Sequence, residues 1–271
     1  MSINLSGICP ESVSGNQLSQ PIVFVHFFIA RVYNRNEDKH SLPAHGKNIL
    51  IGQSICADIY IWRIKMASKI YECISRIADR IIENKDYLTE LDREIGDADH
   101  GINMARGYSE ALEQLDKEDG DLSAVLKKTG MILLSNVGGA SGPLYGTAYM
   151  KASKTVAGKE ELSVEDGKAV FEAVIGGIKL RGKAERGEKT MLDAIIPAYE
   201  AYCQAADAGS SLTECLDAMC AAAAEGAEFT KTIRATKGRA SYLGDRSIGH
   251  QDPGATSALL TMEAIRDFFK A

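Results

Sequence analysis

Three aspartates within eight positions, in Leu91-Asp92-Arg93-Glu94-Ile95-Gly96-Asp97-Ala98-Asp99-His100-Gly101, form the densest concentration of reactive side chains in this 271-residue sequence. Gly96 breaks the helical pattern between the first aspartate and the other two. If Asp97 and Asp99 lie on locally extended chain, their side chains share one side with Cα atoms ~7 Å apart. Asp92, ending the preceding helix, can turn back to the same point. Carboxylates gathered without compensating lysines repel one another, and a hard divalent cation such as Mg²⁺ removes that repulsion through oxygen ligation. The competing assignment makes Asp97 and Asp99 caps of the next helix and Asp92 a surface charge; spacing alone divides evenly between the two. An EF-hand fits worse, because counting Asp97 as the first loop position puts Ile102 where glycine is needed and Tyr108 where glutamate is needed.

Three further segments carry unusual chemistry. In Val137-Gly138-Gly139-Ala140-Ser141-Gly142-Pro143-Leu144-Tyr145-Gly146-Thr147, glycines admit close backbone approach. The helix that follows aims its free N–H groups at an anion such as phosphate. Taken alone, this motif reads equally as a tight helix connection packed through small residues, and that simpler reading is favoured. Gly182-Lys183-Ala184-Glu185-Arg186-Gly187-Glu188-Lys189-Thr190-Met191 approaches a P-loop but fails: Gly187-Glu188-Lys189 replaces the required Gly-Lys-Ser/Thr, and no strand precedes it. What remains is a charged loop between helices. The stretch Arg234 to Ala255 is rich in glycine, arginine and hydroxyls, and Arg239 or Lys237 could neutralise phosphate. A solvated helix end with an extended loop is the alternative. His100 and His250 are candidate general bases, although a hydrogen-bonded structural role is commoner for a histidine beside a helix cap.

The elements that must position these groups read as helices, over roughly 68–84, 86–95, 101–117, 121–136, 141–157, 164–182, 190–207, 211–236 and 253–270. Ser163, Asp121 and the Asp252-Pro253 pair are helix-start signals. Convincing strands are absent from the pattern, since no β-branched run alternates with period two. An all-α architecture follows, an antiparallel bundle or closed helical barrel whose loops at one end can converge on a site.

The net charge is −6, so nucleic acid and anionic membrane are not expected partners. An acidic protein that binds phosphate must supply positive charge locally. The six cysteines, at 9, 56, 73, 203, 215 and 220, form no CxxC pair and suit a reducing cytoplasm. No run reaches the ~18 apolar residues of a membrane span. Residues 1–65 hold the only tryptophan, Trp62, and three of the five histidines, and they lack the periodicity that begins at Met66. Two domains are expected: 1–65 as an N-terminal extension, either disordered or the product of a start assigned upstream of Met66, and 66–271 as the functional helical domain.

The strings LDREIGDADHG, TGMILLSNVGGASGPLYGT, RGKAERGEKTMLD and KGRASYLGDRSIGHQDPGATS, in this order, resemble the ADP-binding L subunits of dihydroxyacetone kinases, and the resemblance runs from about Met66 to Ala271. It implies a barrel of about eight antiparallel amphipathic helices with nucleotide at one end. It implies two Mg²⁺ ions on Asp92, Asp97 and Asp99, bridging the phosphates of ADP or ATP. It places His100, Gly101, Ile102, Asn103, Ala140, Ser141, Gly182, Met191, Arg239, Asp252, Pro253 and Gly254 around the nucleotide. The activity implied is phosphoryl transfer to dihydroxyacetone on a separate K subunit. Rephosphorylation of bound ADP by the phosphotransferase-system M subunit and exchange with free ATP both remain open. Another short ketose as substrate, an ADP-dependent regulatory role docking on a transcription factor, and a homodimer belong to the same set of expectations.

Overall fold

Residues 69–116, 121–159 and 161–271 are described by the computed structural model, so the extension over residues 1–65 and the start at Met66 lie outside the described residues. Helices account for the regular structure among them. They are α1 (69–83), α2 (Lys85–Ile95), α3 (His100–Gln114), α4 (Leu122–Asn136), α5 (Ser141–Thr155), α6 (Val164–Gly182), α7 (Leu192–Asp207), α8 (Leu212–Phe229) and α9 (Pro253–Lys270). Two 3₁₀ segments, Thr230–Thr232 and Arg239–Ser247, separate α8 from α9. No strand occurs among the described residues. No helix there is long and apolar enough to cross a membrane.

Local chemistry explains most of the boundaries. Asp121 caps α4 by accepting from the Ala124 amide, and Asp252 caps α9 by accepting from the Ala255 amide, with Pro253 in the first turn. Ser163 and Ser211 open α6 and α8 with reciprocal capping boxes. The expected helix over 211–236 stops earlier, at Phe229: the Thr230 hydroxyl donates to the Ala227 carbonyl, and Ile233 is already extended. The expected loop between α8 and α9 instead winds into 3₁₀ turns over Arg239–Ser247, entered at Gly238 with φ 62°.

The Ser163 box gives a clean test of capping. Ser163 lies on the surface, its hydroxyl bonded to the Asp166 amide at 3.2 Å and its own amide bonded to the Asp166 carboxylate at 2.8 Å. Ser163→Ala lowers stability by about 1 kcal/mol in urea unfolding. Ligand binding stays unchanged, because the residue is not part of the cavity described below.

Consecutive helices pack on each other from α2 through to α9, and α9 packs back on α2. The helices therefore close into a ring. Arg80 of α1 reaches Glu263 at 3.3 Å and Asp267 at 2.9 Å, which ties α1 to α9 as well. The ring interior is filled by Ile74, Ile81, Leu88, Met104, Tyr108, Val125, Leu133, Leu192 and Met219, all nearly or fully buried. Each such side chain contributes about 1.5–3 kcal/mol by leaving water. The buried phenols are paired rather than stranded: Tyr108 and Tyr149 share a hydrogen bond at 3.1 Å.

Small residues set the closest crossings. A Cβ on Gly130 of α4 would sit 2.9 Å from the Gly146 carbonyl of α5, and one on Gly146 would sit 2.9 Å from the Gly130 carbonyl. The two backbones touch at that point, so both positions must be glycine. The first residues of α3, α5, α7 and α9 lie at the same end of the ring, where His100, Ser141, Met191 and Pro253 line one cavity. That end holds the site.

Candidate functional site

The carboxylate cluster is built by the turn between α2 and α3. Gly96 ends α2, and its amide bonds the Asp92 carbonyl at 2.6 Å. A Cβ at this position would lie 2.1 Å from Asp92 Oδ1, so Gly96 leaves the room that the Asp92 side chain occupies. The chain beyond is not extended, contrary to the first expectation. Ala98 is left-handed with φ 59°, and Asp99 has near-helical angles. The turn nevertheless gathers the three side chains: Asp92, Asp97 and Asp99 each offer one oxygen, and these oxygens all lie within 4.8 Å of one another.

The capping alternative can now be separated from the metal one. Asp99 occupies the cap position of α3 yet makes no side-chain cap bond. Asp92 does that work from the preceding helix. Its Oδ2 accepts from the amides of Asp99 at 2.9 Å and His100 at 3.2 Å. Asp92 is buried, Asp99 half-buried and Asp97 more open, paired with the exposed Arg239 guanidinium at 2.9 Å. Three converging hard oxygen donors, of which Asp97 is paired with Arg239, are a donor set that fits a divalent ion such as Mg²⁺.

The cluster opens into a cavity of about 500 Å³. Of the residues expected from sequence, Asp92, Asp97, Asp99, His100, Asn103, Ala140, Ser141, Gly182, Met191, Arg239, Asp252, Pro253 and Gly254 all line it. Gly101 and Ile102 lie outside the lining: Gly101 is packed on α2, where a Cβ would meet the Lys85 carbonyl at 2.0 Å, and the Ile102 side chain is exposed. His250 turns to Glu94, 3.4 Å away, and is not part of the wall. The lining also includes Ile178, Arg181, Lys189 and Thr190, which the motif reading did not assign to the site. Lys189 stood in plain view inside the failed P-loop string. Nothing in local sequence marks a lysine as buried.

Four helix starts meet at this cavity. His100, Ser141, Met191 and Pro253 stand at the N-termini of α3, α5, α7 and α9, and each contributes to the wall. Their dipoles add positive potential, joined by Arg181, Lys189, Lys237 and Arg239. This is the local positive charge that an acidic protein needs to hold a polyanion.

Burial tunes the titratable groups around it. His100 is held below its ordinary pKa chiefly by desolvation, against the pull of Asp92 and Asp99. Its ring is fixed on both sides, Nε2 to the Ser257 hydroxyl at 2.9 Å and Nδ1 to the Ser141 hydroxyl at 3.1 Å. Burial pushes the Asp252 carboxyl up to about 7, although the Ala255 amide and Lys189 draw it back. Lys189 is pushed down by burial, opposed by Asp252 and Asp193.

Comparisons with known proteins identify relatives of the chain. The family model described as the DAK2 domain matches residues 94–267. The chain is 46% identical over 199 residues to the ADP-binding subunit DhaL of the PEP-dependent dihydroxyacetone kinase of Escherichia coli K12, covering 73% of this chain and 95% of that one. It is 48% identical over 193 residues to the ADP-binding subunit DhaL of PEP-dependent dihydroxyacetone kinase 1 of Listeria innocua, covering 71% of this chain and 91% of that one. In structure it is similar to the dihydroxyacetone kinase of C. freundii in complex with AMP-PNP and Mg²⁺. The TM-score is 0.56 at 21% identity, over 86% of this chain and 38% of that one, a likeness of fold.

Proposed function

The chain belongs to the DAK2 domain family, with the ADP-binding L subunits of dihydroxyacetone kinases as its relatives, and from that premise we propose that it is the nucleotide-holding subunit of such a kinase. In this reading residues 66–271 bind ADP or ATP through two Mg²⁺ ions on Asp92, Asp97 and Asp99. The terminal phosphoryl group passes to dihydroxyacetone held on a separate K subunit. The single observation that carries the reading is the convergence of three carboxylate oxygens within 4.8 Å at the mouth of a cavity into which four helix N-termini point.

Phosphoryl transfer depends on positioning and charge neutralisation more than on covalent chemistry from the protein. Asp92, Asp97 and Asp99 would hold Mg²⁺, which when bound would supply charge neutralisation to the phosphates. The chain's own residues do the rest. Ser141 and the first turns of α5 and α9 offer hydrogen-bond donors to the anion. Arg239, exposed and paired with Asp97 at 2.9 Å, can turn from that surface pair toward a phosphate. Asn103 is held by Arg106 at 2.8 Å and presents its amide to the cavity wall. The apolar stretch of wall from Ile178, Leu144 and Met191 suits the base or ribose.

The PEP dependence of the relatives supports the reading in which ADP stays bound and is rephosphorylated by an M subunit of the phosphotransferase system. Reconstitution tests this. The full chain is mixed with K and M subunits and phosphoenolpyruvate, or with K alone and ATP, and dihydroxyacetone phosphate is measured. The expected result is product with phosphoenolpyruvate only when all three subunits are present, with this chain inactive alone. Product from free ATP at the same rate without M would replace the donor assignment. No product from either donor would sink the kinase reading.

A further inference from the structure

The Lys189 side chain is fully buried, at 1% exposure, yet its ammonium is met by main-chain oxygens rather than by a carboxylate. Nζ donates to the carbonyl of Thr230 at 2.5 Å, to that of His250, and to that of Ile233 at 3.5 Å. Thr230 and Ile233 belong to the end of α8 and its 3₁₀ extension, where carbonyls lack helical donors and the helix dipole is negative. His250 belongs to the approach to α9. A positive charge inside a cage of carbonyl oxygens from separate segments has the form of a monovalent-cation site, with the cation covalently attached.

Two more observations tie this cage to the cavity wall. Lys189 has φ 61°, a left-handed conformation that glycine adopts freely and that costs an L-residue on the order of 1 kcal/mol. Lysine is held there regardless, by Asp193 accepting from the amides of Gly187 at 2.5 Å and Thr190 at 2.8 Å. The backbone then delivers Thr190 and Met191 straight to the cavity. On the other side, two residues after the His250 carbonyl, Asp252 anchors its amide on the Thr230 hydroxyl at 2.9 Å, and Gly254 lies beside Met191, where a Cβ would be in ordinary contact with the amide nitrogen at 3.7 Å. The ammonium therefore sits where the two strips of wall, 190–191 and 252–254, are joined.

We propose that Lys189 is a positioning residue for the nucleotide site, acting as a built-in monovalent cation that clamps the Thr230, Ile233 and His250 carbonyls. Its loss makes nucleotide binding depend on a small cation from solution. The proposal rests on the nucleotide reading of the cavity.

The test uses the full chain and measures ADP binding in Mg²⁺ by calorimetry, with tetramethylammonium as the only other cation. Lys189→Ala binds ADP at least about tenfold more weakly than the unaltered protein. Potassium or ammonium ions restore most of that loss, because the shortened side chain leaves room for them among the carbonyls. Lys189→Met loses affinity equally and is not rescued, since its side chain fills the space without charge. The unaltered protein is indifferent to all three salts. A purely packing role predicts no cation effect at equal far-ultraviolet circular dichroism. Full affinity in Lys189→Ala, or a loss that neither potassium nor ammonium repairs, would overturn the proposal. If Lys189→Ala fails to fold in tetramethylammonium, refolding is repeated in each salt. Helical signal recovered in potassium or ammonium alone supports the clamp, and no recovery in any salt overturns it. If the unaltered protein binds no ADP, the nucleotide reading falls instead, and the clamp is then judged by the cation dependence of the Lys189→Ala melting temperature.

Discussion

Asp97→Ala abolishes Mg²⁺-dependent ADP binding and leaves the helical fold intact. The two halves of that result come from different parts of the structure. Asp97 stands two residues before Asp99, the cap position of α3, and its partner is the exposed Arg239. A surface ion pair of this kind is worth about 0–1 kcal/mol, so the fold loses little. For the ligand the change is severe. Asp97 is one of the three carboxylates, among the described residues, whose oxygens gather within 4.8 Å. Even the loss of an indirect partner of a metal ligand costs about 10–100-fold in affinity, so loss of a ligand itself lowers ADP affinity in Mg²⁺ by at least about a hundredfold. Calorimetry with and without Mg²⁺ reads the effect, and circular dichroism checks the fold.

The neighbouring carboxylates separate metal from cap. Asp92→Ala loses ADP binding too, but it also releases the amides of Asp99 and His100 at the start of α3. It therefore lowers stability by about 1 kcal/mol even without ligand. Asp99→Asn removes a repelling charge without removing a cap bond, and so leaves the metal-free protein as stable as before or more so. If Asp97→Ala binds ADP as tightly as the unaltered chain, the cluster is a structural turn and the kinase reading loses its footing.

How far the sequence foretold this site depends on whether the governing interaction is local. The caps at Asp121, Ser163 and Asp252 were legible because a cap is a contact between residues three apart. The three aspartates were legible by density, although the expected extended geometry was replaced by a left-handed Ala98. Gly101 was expected at the nucleotide, but its surroundings are those of a helix crossing, with the Lys85 carbonyl and Thr89 in the place of a Cβ. A glycine beside a motif looks the same in sequence whether it makes room for ligand or for backbone. Lys189 was missed for a similar reason: its buried cage is assembled from residues 41, 44 and 61 positions away. The 3₁₀ turns over Arg239–Ser247 were hidden too, because they hang on contacts such as the Ser247 hydroxyl bonding the Ala235 amide.

Gly226→Ala is strongly destabilising, although alanine is the better helix former. In the interior of a helix, glycine to alanine gains about 1 kcal/mol when there is room. Gly176 in α6 is such a place, exposed and with nothing within 4 Å of a Cβ, so Gly176→Ala raises stability by about that amount. Gly226 in α8 is the opposite. Its Cβ would lie 2.1 Å from the Asp193 carbonyl oxygen and 3.0 Å from the Ala194 Cα, and both of those atoms are backbone of α7. Pro197 explains why that carbonyl is there. It stands four residues after Asp193 inside α7 and has no N–H to give it, so the Asp193 carbonyl is left facing α8. Neither helix can yield without moving as a body, and the expected loss is at least about 3 kcal/mol in urea unfolding. The displacement also reaches the cavity. Asp193 holds the Gly187 and Thr190 amides that shape the loop carrying Lys189, so whatever fraction of Gly226→Ala remains folded binds ADP more weakly. Equal unfolding midpoints for Gly226→Ala and Gly176→Ala would mean that α7 and α8 do not approach as closely as their backbones are placed here.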